Sequence, residues 1–187
     1  MFTYIVSRRD DALDAGLLLF AEQGYAATTT AQIEAAMGLS PGAGGLFRHV
    51  GSKRELLDLA VERALTRRHD PPPRDGAPPG AALARAVLHL VDADPDLWRL
   101  LLRDGSALPL DREDLYARLV QPAFDQAIAF VRSEIGDAPG TEARVVAAIS
   151  ALLYLRISQW IYGCSPGGID EAAFVSVAAG LLERGTS

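Results

Sequence analysis

Groups able to do covalent chemistry are sparse and scattered in this sequence. The histidines stand far apart at 49, 69 and 89, and Cys164 is the single cysteine. His69 and Asp70 have no other ligand-type residue at a useful spacing, so no metal site is expected. Gly42, Gly44 and Gly45 follow no strand and precede no suitably placed acid, which argues against a dinucleotide fingerprint, and no serine sits in a nucleophile elbow. No catalytic residue, no cofactor and no enzyme activity are expected. What gathers between Thr29 and Lys53 is recognition chemistry: the hydroxyls of Thr29 and Ser40, a glycine run, the cations Arg48 and Lys53 (the only lysine), and His49. Backbone amides at glycines, with short polar or cationic side chains, are groups that contact phosphate oxygens and base edges.

These residues need a scaffold, and helix signals surround them. Thr29 with Gln32 forms a capping box ahead of the apolar Ile33, Ala36 and Met37, and Gly38 can take the left-handed conformation that closes a helix. Ser40 can cap a following helix with Pro41 at its first position, where no amide is lost. Two helices joined through a glycine turn make a helix-turn-helix, whose second helix can enter a major groove. Upstream, Ser7 and Asp10 signal the start of a bracing helix with Ala12, Leu13, Leu17, Phe20 and Ala21 on one face; the MFTYIV segment before it either packs on that helix or stays disordered. Arg8 and Arg9 at its start read equally as a basic arm reaching DNA or as a solvated pair. Downstream, Ser52 and Glu55 form a second capping box before Leu56, Leu57, Ala60, Val61 and Leu65, a helix to about Arg68.

Taken together, ALDAGLLLFAEQGYAATTTAQIEAAMGLSPGAGGLFRHVGSKRELL resembles the N-terminal domain of the TetR family of bacterial transcriptional regulators. Phe20, Gly24-Tyr25, the threonine run, Ile33, Gly38-Leu39-Ser40, Leu46-Phe47, His49 and Ser52-Lys53 fall in the family's order. The resemblance implies an all-α fold, with residues 1–55 a three-helix DNA-binding head and residues 56–187 a helical domain for ligand binding and dimerisation. It also implies a double-stranded DNA operator, a small-molecule effector, and a homodimer through the last two helices. Thr29, Ser40, Pro41, Gly42, Ala43, Gly44, Gly45, Phe47, Arg48 and His49 are the implied DNA contacts, with Lys53 on a backbone phosphate. Three departures stand out. Family members run from the glycine after Ser-Pro to the Leu-Tyr pair through one residue, whereas Ala43, Gly44 and Gly45 intervene here; Phe47 replaces a common tyrosine, and Val50 a usual phenylalanine. Each helix-interior glycine costs ~1 kcal/mol relative to alanine, so this helix start is expected to be loose without DNA and to order on the operator.

The chain has 187 residues, 49% of them hydrophobic, and is long enough to bury a real core. No apolar run reaches the length needed to span a bilayer, and the start lacks the pattern of a signal peptide, so a cytoplasmic protein without a membrane partner is expected. Net charge is −6, which alone argues against nucleic acid. The excess acid is uneven: residues 1 to 68 hold eight basic and eight acidic groups, the remainder ten against sixteen. Screening limits repulsion from a distant acidic body to ~10 Å, so DNA affinity should be modest and salt-dependent.

Prolines and glycines from His69 to Gly80 predict a non-helical boundary loop. Beyond it everything reads as helix: Ala81 to Asp92 with Leu83, Ala86, Val87, Leu90 and Val91; a short helix capped by Asp94-Pro95 with Leu97, Trp98, Leu101 and Leu102; Asp111 to Ile135, kinked at Pro122, with Leu115, Leu119, Ala123, Ala127 and Val131 in line; Glu142 to Tyr162; and Asp170 to Arg184 with Phe174, Val177 and Leu181. In the fourth of these, Val145, Ile149, Leu152 and Trp160 share a face that Arg156 interrupts, with Gln159 beside it. A buried cation needs a partner. Two readings stand: a structural pair with Asp92, Asp94 or Asp104, or a group orienting an anionic or carbonyl-bearing effector, with Trp98, Phe124, Tyr154 and Trp160 as candidate walls. A rival function is a helical ligand-binding or protein-interaction module whose head no longer reads DNA specifically.

Overall fold

The computed structural model describes residues 8–42, 44–48, 50–66, 76–108 and 110–183, and every regular element among them is helical. The helices are α1 (Arg8–Gln23), α2 (Thr30–Ala36), α3 (Lys53–Thr66), α4 (Pro79–Ala93), α5 (Pro95–Asp104), α6 (Arg112–Leu115), α7 (Gln121–Glu134), α8 (Thr141–Tyr162) and α9 (Glu171–Glu183). The MFTYIV segment, the Ser7 cap, residues 67–68 at the expected end of the helix after Ser52 and residues 69–75 of the proline-rich loop lie outside the described residues. The chain forms two compact units, Met1–Arg67 with Asp94–Asp111, and Arg68–Ala93 with Arg112–Ser187.

In the first unit α1 packs against α2, α3 and α5. Its expected face is buried, Phe20 completely, and burying that ring contributes about 1.5–3 kcal/mol. The α1–α3 approach is close because residue 16 is a glycine: a methyl group there would overlap Leu56 Cδ2. The register of α5 differs from expectation. Leu97 and Leu100 are buried whereas Leu102 is 46% exposed, so the helix turns a narrower stripe inward than Leu97, Trp98, Leu101 and Leu102. Asp94 makes no side-chain capping bond to it.

In the second unit α8 and α9 pack on each other and on α4, and α7 packs on α8. The core joins Leu83, Ala84 and Leu88 of α4, Ala127 and Val131 of α7, Val145, Ala148, Ile149, Leu152 and Leu155 of α8, and Ala178 and Leu182 of α9. The loop expected through Gly80 ends earlier. Pro79 and Gly80 already belong to α4, because a proline in the first turn gives up an amide that has no intrahelical partner. Gly80 also lets α4 approach α9 closely, since a Cβ there would stand 2.6 Å from the Ala179 carbonyl oxygen. Leu90 is exposed and Ala84 and Leu88 take the core side of α4; on α9, Val177 is 63% exposed and Ala178 and Leu182 face the core. The expected single helix from Asp111 to Ile135 is three pieces: α6, a π-helical turn over Tyr116–Val120, and α7 with Pro122 in its first turn. The wider turn removes the clash that Pro122 would make with the carbonyl of Arg118 in a continuous α-helix. Helix α8 corrects another expectation: its 22 residues are long and apolar enough to cross a bilayer by length and composition. It is the central core helix of this unit and carries the Arg156 ion pairs described below.

Candidate nucleic-acid interface

The first helix of the reading motif is built as its sequence dictates. The Thr29 hydroxyl accepts a hydrogen bond from the Gln32 amide at 3.2 Å, and the Gln32 side-chain oxygen accepts one from the Thr29 amide at 2.7 Å. Thr28 is buried, and its hydroxyl donates to the Gly24 carbonyl at 2.8 Å, closing the turn between α1 and α2. After Met37 the chain reverses through Gly38 at φ 70, a conformation open to glycine without strain. The Leu39 amide returns to the Glu34 carbonyl at 2.8 Å.

The second helix of the motif differs from expectation. No helix starts at Ser40 and Pro41. Pro41 and Gly42 form a turn, and the regular element is a single 3-10 turn, Leu46–Arg48. Gly42 and Gly44 both have positive φ, 77 and 70, incompatible with a right-handed helix through them. The amides that would open a helix are satisfied by a side chain instead. The Glu34 carboxylate, 1% exposed, accepts from the Gly42 amide at 2.6 Å and from the Leu46 amide at 2.9 Å. Donation from Leu46, together with Gly42 and Gly45 and against the cost of burial, holds this carboxyl below the usual range. Leu46 and Val50 then bury their side chains, anchoring the C-terminal end of the segment.

Of the expected contact residues, Thr29, Ser40, Pro41, Gly42 and Arg48 are exposed, and Gly44 and Gly45 are half-buried. Phe47 lies in the 3-10 turn; Ala43 and His49 lie outside the described residues. Lys53 is committed elsewhere. Its ammonium donates to the carbonyls of Tyr25 and Thr28, both at 2.8 Å, and stands 4.3 Å from the centre of the Tyr25 ring. Lys53 thus ties the first turn of α3 to the α1–α2 connection, with one N–H left for a phosphate. Tyr25 in turn stacks on Phe20, centroids 5.4 Å apart, and donates its amide to Asp104 at the end of α5. Arg54 donates to the Ala107 carbonyl and Arg103 to the Glu22 carbonyl, so the C-terminal end of α5 is fastened to the head. The second capping box is shifted by one residue: Ser52 accepts from the Glu55 amide, and the Glu55 carboxylate accepts from Gly51.

Sequence reasoning missed Glu34, Tyr25 and Asp104. Glu34 carries a visible signal, an acid between Ile33 and Met37 in the buried register of a short helix, but its partners lie eight and twelve residues away across a glycine loop.

The residues expected to meet an effector are divided between the two units. Trp98 belongs to the first unit; Phe124, Tyr154, Arg156, Gln159 and Trp160 belong to the second. Phe124 packs on the α4–α7–α8–α9 core, and Tyr154 is 53% exposed rather than a wall. Arg156 does have a carboxylate partner among those expected, Asp92, reached at 2.8 Å from Nε and from a terminal nitrogen. Asp94 and Asp104 are not its partners; the second is Glu171, at 2.7 Å, with the Gln159 side-chain oxygen at 2.8 Å. All five guanidinium N–H groups are engaged. Burial pulls the Arg156 pKa down, and the bonds to Glu171 and Asp92 more than reverse it; Arg156 and Gln159 hold Glu171 below its ordinary value. Among the described residues no group of three or more His, Cys, Asp or Glu could hold a metal ion.

Residues 12–60 match the sequence model of a family described as bacterial regulatory proteins, tetR family. No curated protein matches the chain significantly. Among solved structures, a TetR-like transcriptional regulator from Rhodococcus sp. RHA1 is similar in fold, with a TM-score of 0.58 at 22% identity over 98% of both chains. A tetR family transcription regulator from Shewanella sp. PV-4 gives a TM-score of 0.46 at 17% identity, over 95% of this chain and 97% of that one.

Proposed function

From the match of residues 12–60 to the tetR family of bacterial regulatory proteins, we propose that the chain is a regulator of this family, that it represses transcription from a two-fold operator and that it releases the operator when a small molecule binds. It is a DNA-binding regulator. The observation that carries the reading is the head itself, the α2 capping box and Gly38 turn leading into Ser40, Pro41, Gly42 and Arg48 exposed at the surface of the first unit.

In this reading residues 1–55 read DNA and residues 56–187 regulate and dimerise, within a cytoplasmic protein. The contacts are Thr29 and Ser40 hydroxyls, backbone at Pro41 to Gly45, and the side chains of Phe47, Arg48 and His49, with the third N–H of Lys53 on a phosphate. The segment between Gly42 and Leu46 orders further on the duplex. Exposed Val146, Tyr154, Ile161, Tyr162 and Val177 on α8 and α9 support a homodimer through these helices. A two-fold dimer must hold its reading segments about 34–36 Å apart to meet successive major grooves. The effector acts by preferring another spacing, and its effect is bounded by its differential affinity for the two states. We place it in the second unit, near Phe124, Gln159 and Trp160. Of the two readings of Arg156 the structural one is favoured, because a ligand would have to displace a carboxylate from it. The switch reaches the head through α5, which packs on α1 and is continuous in sequence with the second unit at both ends.

The test is binding of the purified protein to the DNA upstream of its own gene against random duplex of equal length, across salt concentrations. Preference for the upstream fragment is expected. Equal binding at low salt would remove the regulator reading and favour the interaction module.

A further inference from the structure

Glu34 is the only carboxylate named above that is almost wholly buried, and among the described residues its hydrogen-bond partners are backbone amides of one loop. Those amides flank the glycine insert that separates this chain from its family pattern. A segment with positive-φ glycines at 42 and 44 has high conformational freedom, and ordering it costs entropy that its own side chains cannot offset. The carboxylate spans it: one oxygen takes the Gly42 amide, the other the Leu46 amide.

We infer that Glu34 is a positioning residue for DNA recognition: it clamps both ends of the glycine insert, so that the exposed Pro41–Gly42 turn and the Leu46–Arg48 turn keep one fixed separation on the reading surface. The inference rests on the DNA-reading role of the head. The carboxylate touches no DNA itself. It works by setting where Ser40, the loop backbone and Arg48 stand before the duplex arrives, which lowers the ordering cost of binding. A glutamine keeps the shape of the side chain and one acceptor but sets an NH2 group against a backbone N–H, so Glu34→Gln undoes one end of the clamp.

The test compares wild-type protein with Glu34→Gln and Glu34→Asp in two measurements. In DNA-free protein, amide exchange at Gly42 and Leu46 is read against amides of α1 and α3, which report whether the unit remains folded. Affinities for the upstream fragment and for random duplex are then measured at one salt concentration. In Glu34→Gln, exchange at one or both loop amides should rise by about ten- to a hundred-fold while α1 and α3 stay protected, and the preference for the upstream fragment should fall by about tenfold or more. The shorter carboxylate of Glu34→Asp should recover part of both. Unchanged exchange, or loosened amides with unchanged preference, overturns the assignment while the regulator reading stands. A wild-type protein with no preference overturns the regulator reading first, and this one with it.

Discussion

Lys53 shows how one side chain can brace a fold and still have a donor to offer DNA. A lysine at the first turn of a helix next to a reading motif suits a phosphate, yet two of its three N–H groups close on the Tyr25 and Thr28 carbonyls. Lys53→Met should therefore cost about 1 kcal/mol of stability, read by urea unfolding. It should also lower the salt-dependence slope of DNA binding by about 1, because the third N–H of Lys53 is the one proposed to reach a phosphate; an unchanged slope would leave Lys53 a brace only. The carboxylates give a second test at this scale. Glu34 and Glu171 both titrate below their ordinary 4.5 in the folded chain. The unfolded chain then binds protons more readily, so their contribution is complete above about pH 5 and is lost as pH falls through the lower folded values. Glu171→Gln should flatten the acid limb of stability below about pH 5, and unfolding free energies across that limb check it. An equally steep limb in the variant would show that the Arg156 cluster contributes nothing there.

Among the elements, close approach decides which helices hold their places. At Gly80 the neighbour is the Ala179 carbonyl, a backbone atom that cannot rotate away. Gly80→Ala should therefore destabilise the protein by about 1–3 kcal/mol despite the better helix propensity of alanine, visible as a lower melting temperature. Elements set by local chemistry were legible in the sequence: the Thr29–Gln32 box, the Gly38 reversal, the faces of α1 and α3, and the buried Val145, Ile149 and Leu152 side of α8. Elements set by distant partners were not. The helix signal at Ser40-Pro41 is sound locally, but it loses to three glycines and a carboxylate from the previous helix. The stripe on α9 was misread at Val177 because apolar residues surround that helix, and only the packing of α4 and α8 chooses a side. Arg156 announced a buried partner; that Glu171 and Asp92 share it depends on how three helices meet.

For the whole molecule, the sharpest question is whether two copies act as one. The exposed apolar residues of α8 and α9 carry the proposed pairing. Val177→Glu changes a side chain that makes no core contact in the chain itself, so the fold should survive. Sedimentation should shift from dimer to monomer, and operator affinity should drop by about 10²-fold or more as the second head loses its tethered advantage. An unchanged dimer would place the pairing on another face. The first unit has a consequence of a different kind, because it draws α5 from beyond a stretch that belongs to the second unit. A polypeptide leaves the ribosome at ~5–20 residues per second, and domains tend to fold as they emerge. The head cannot follow that habit: α1 waits, without its α5 partner, while residues 68–93 are made. The competence to bind DNA is thus acquired late in synthesis, and a nascent chain halted before residue 94 should carry a head that is complete in sequence and unfinished in structure.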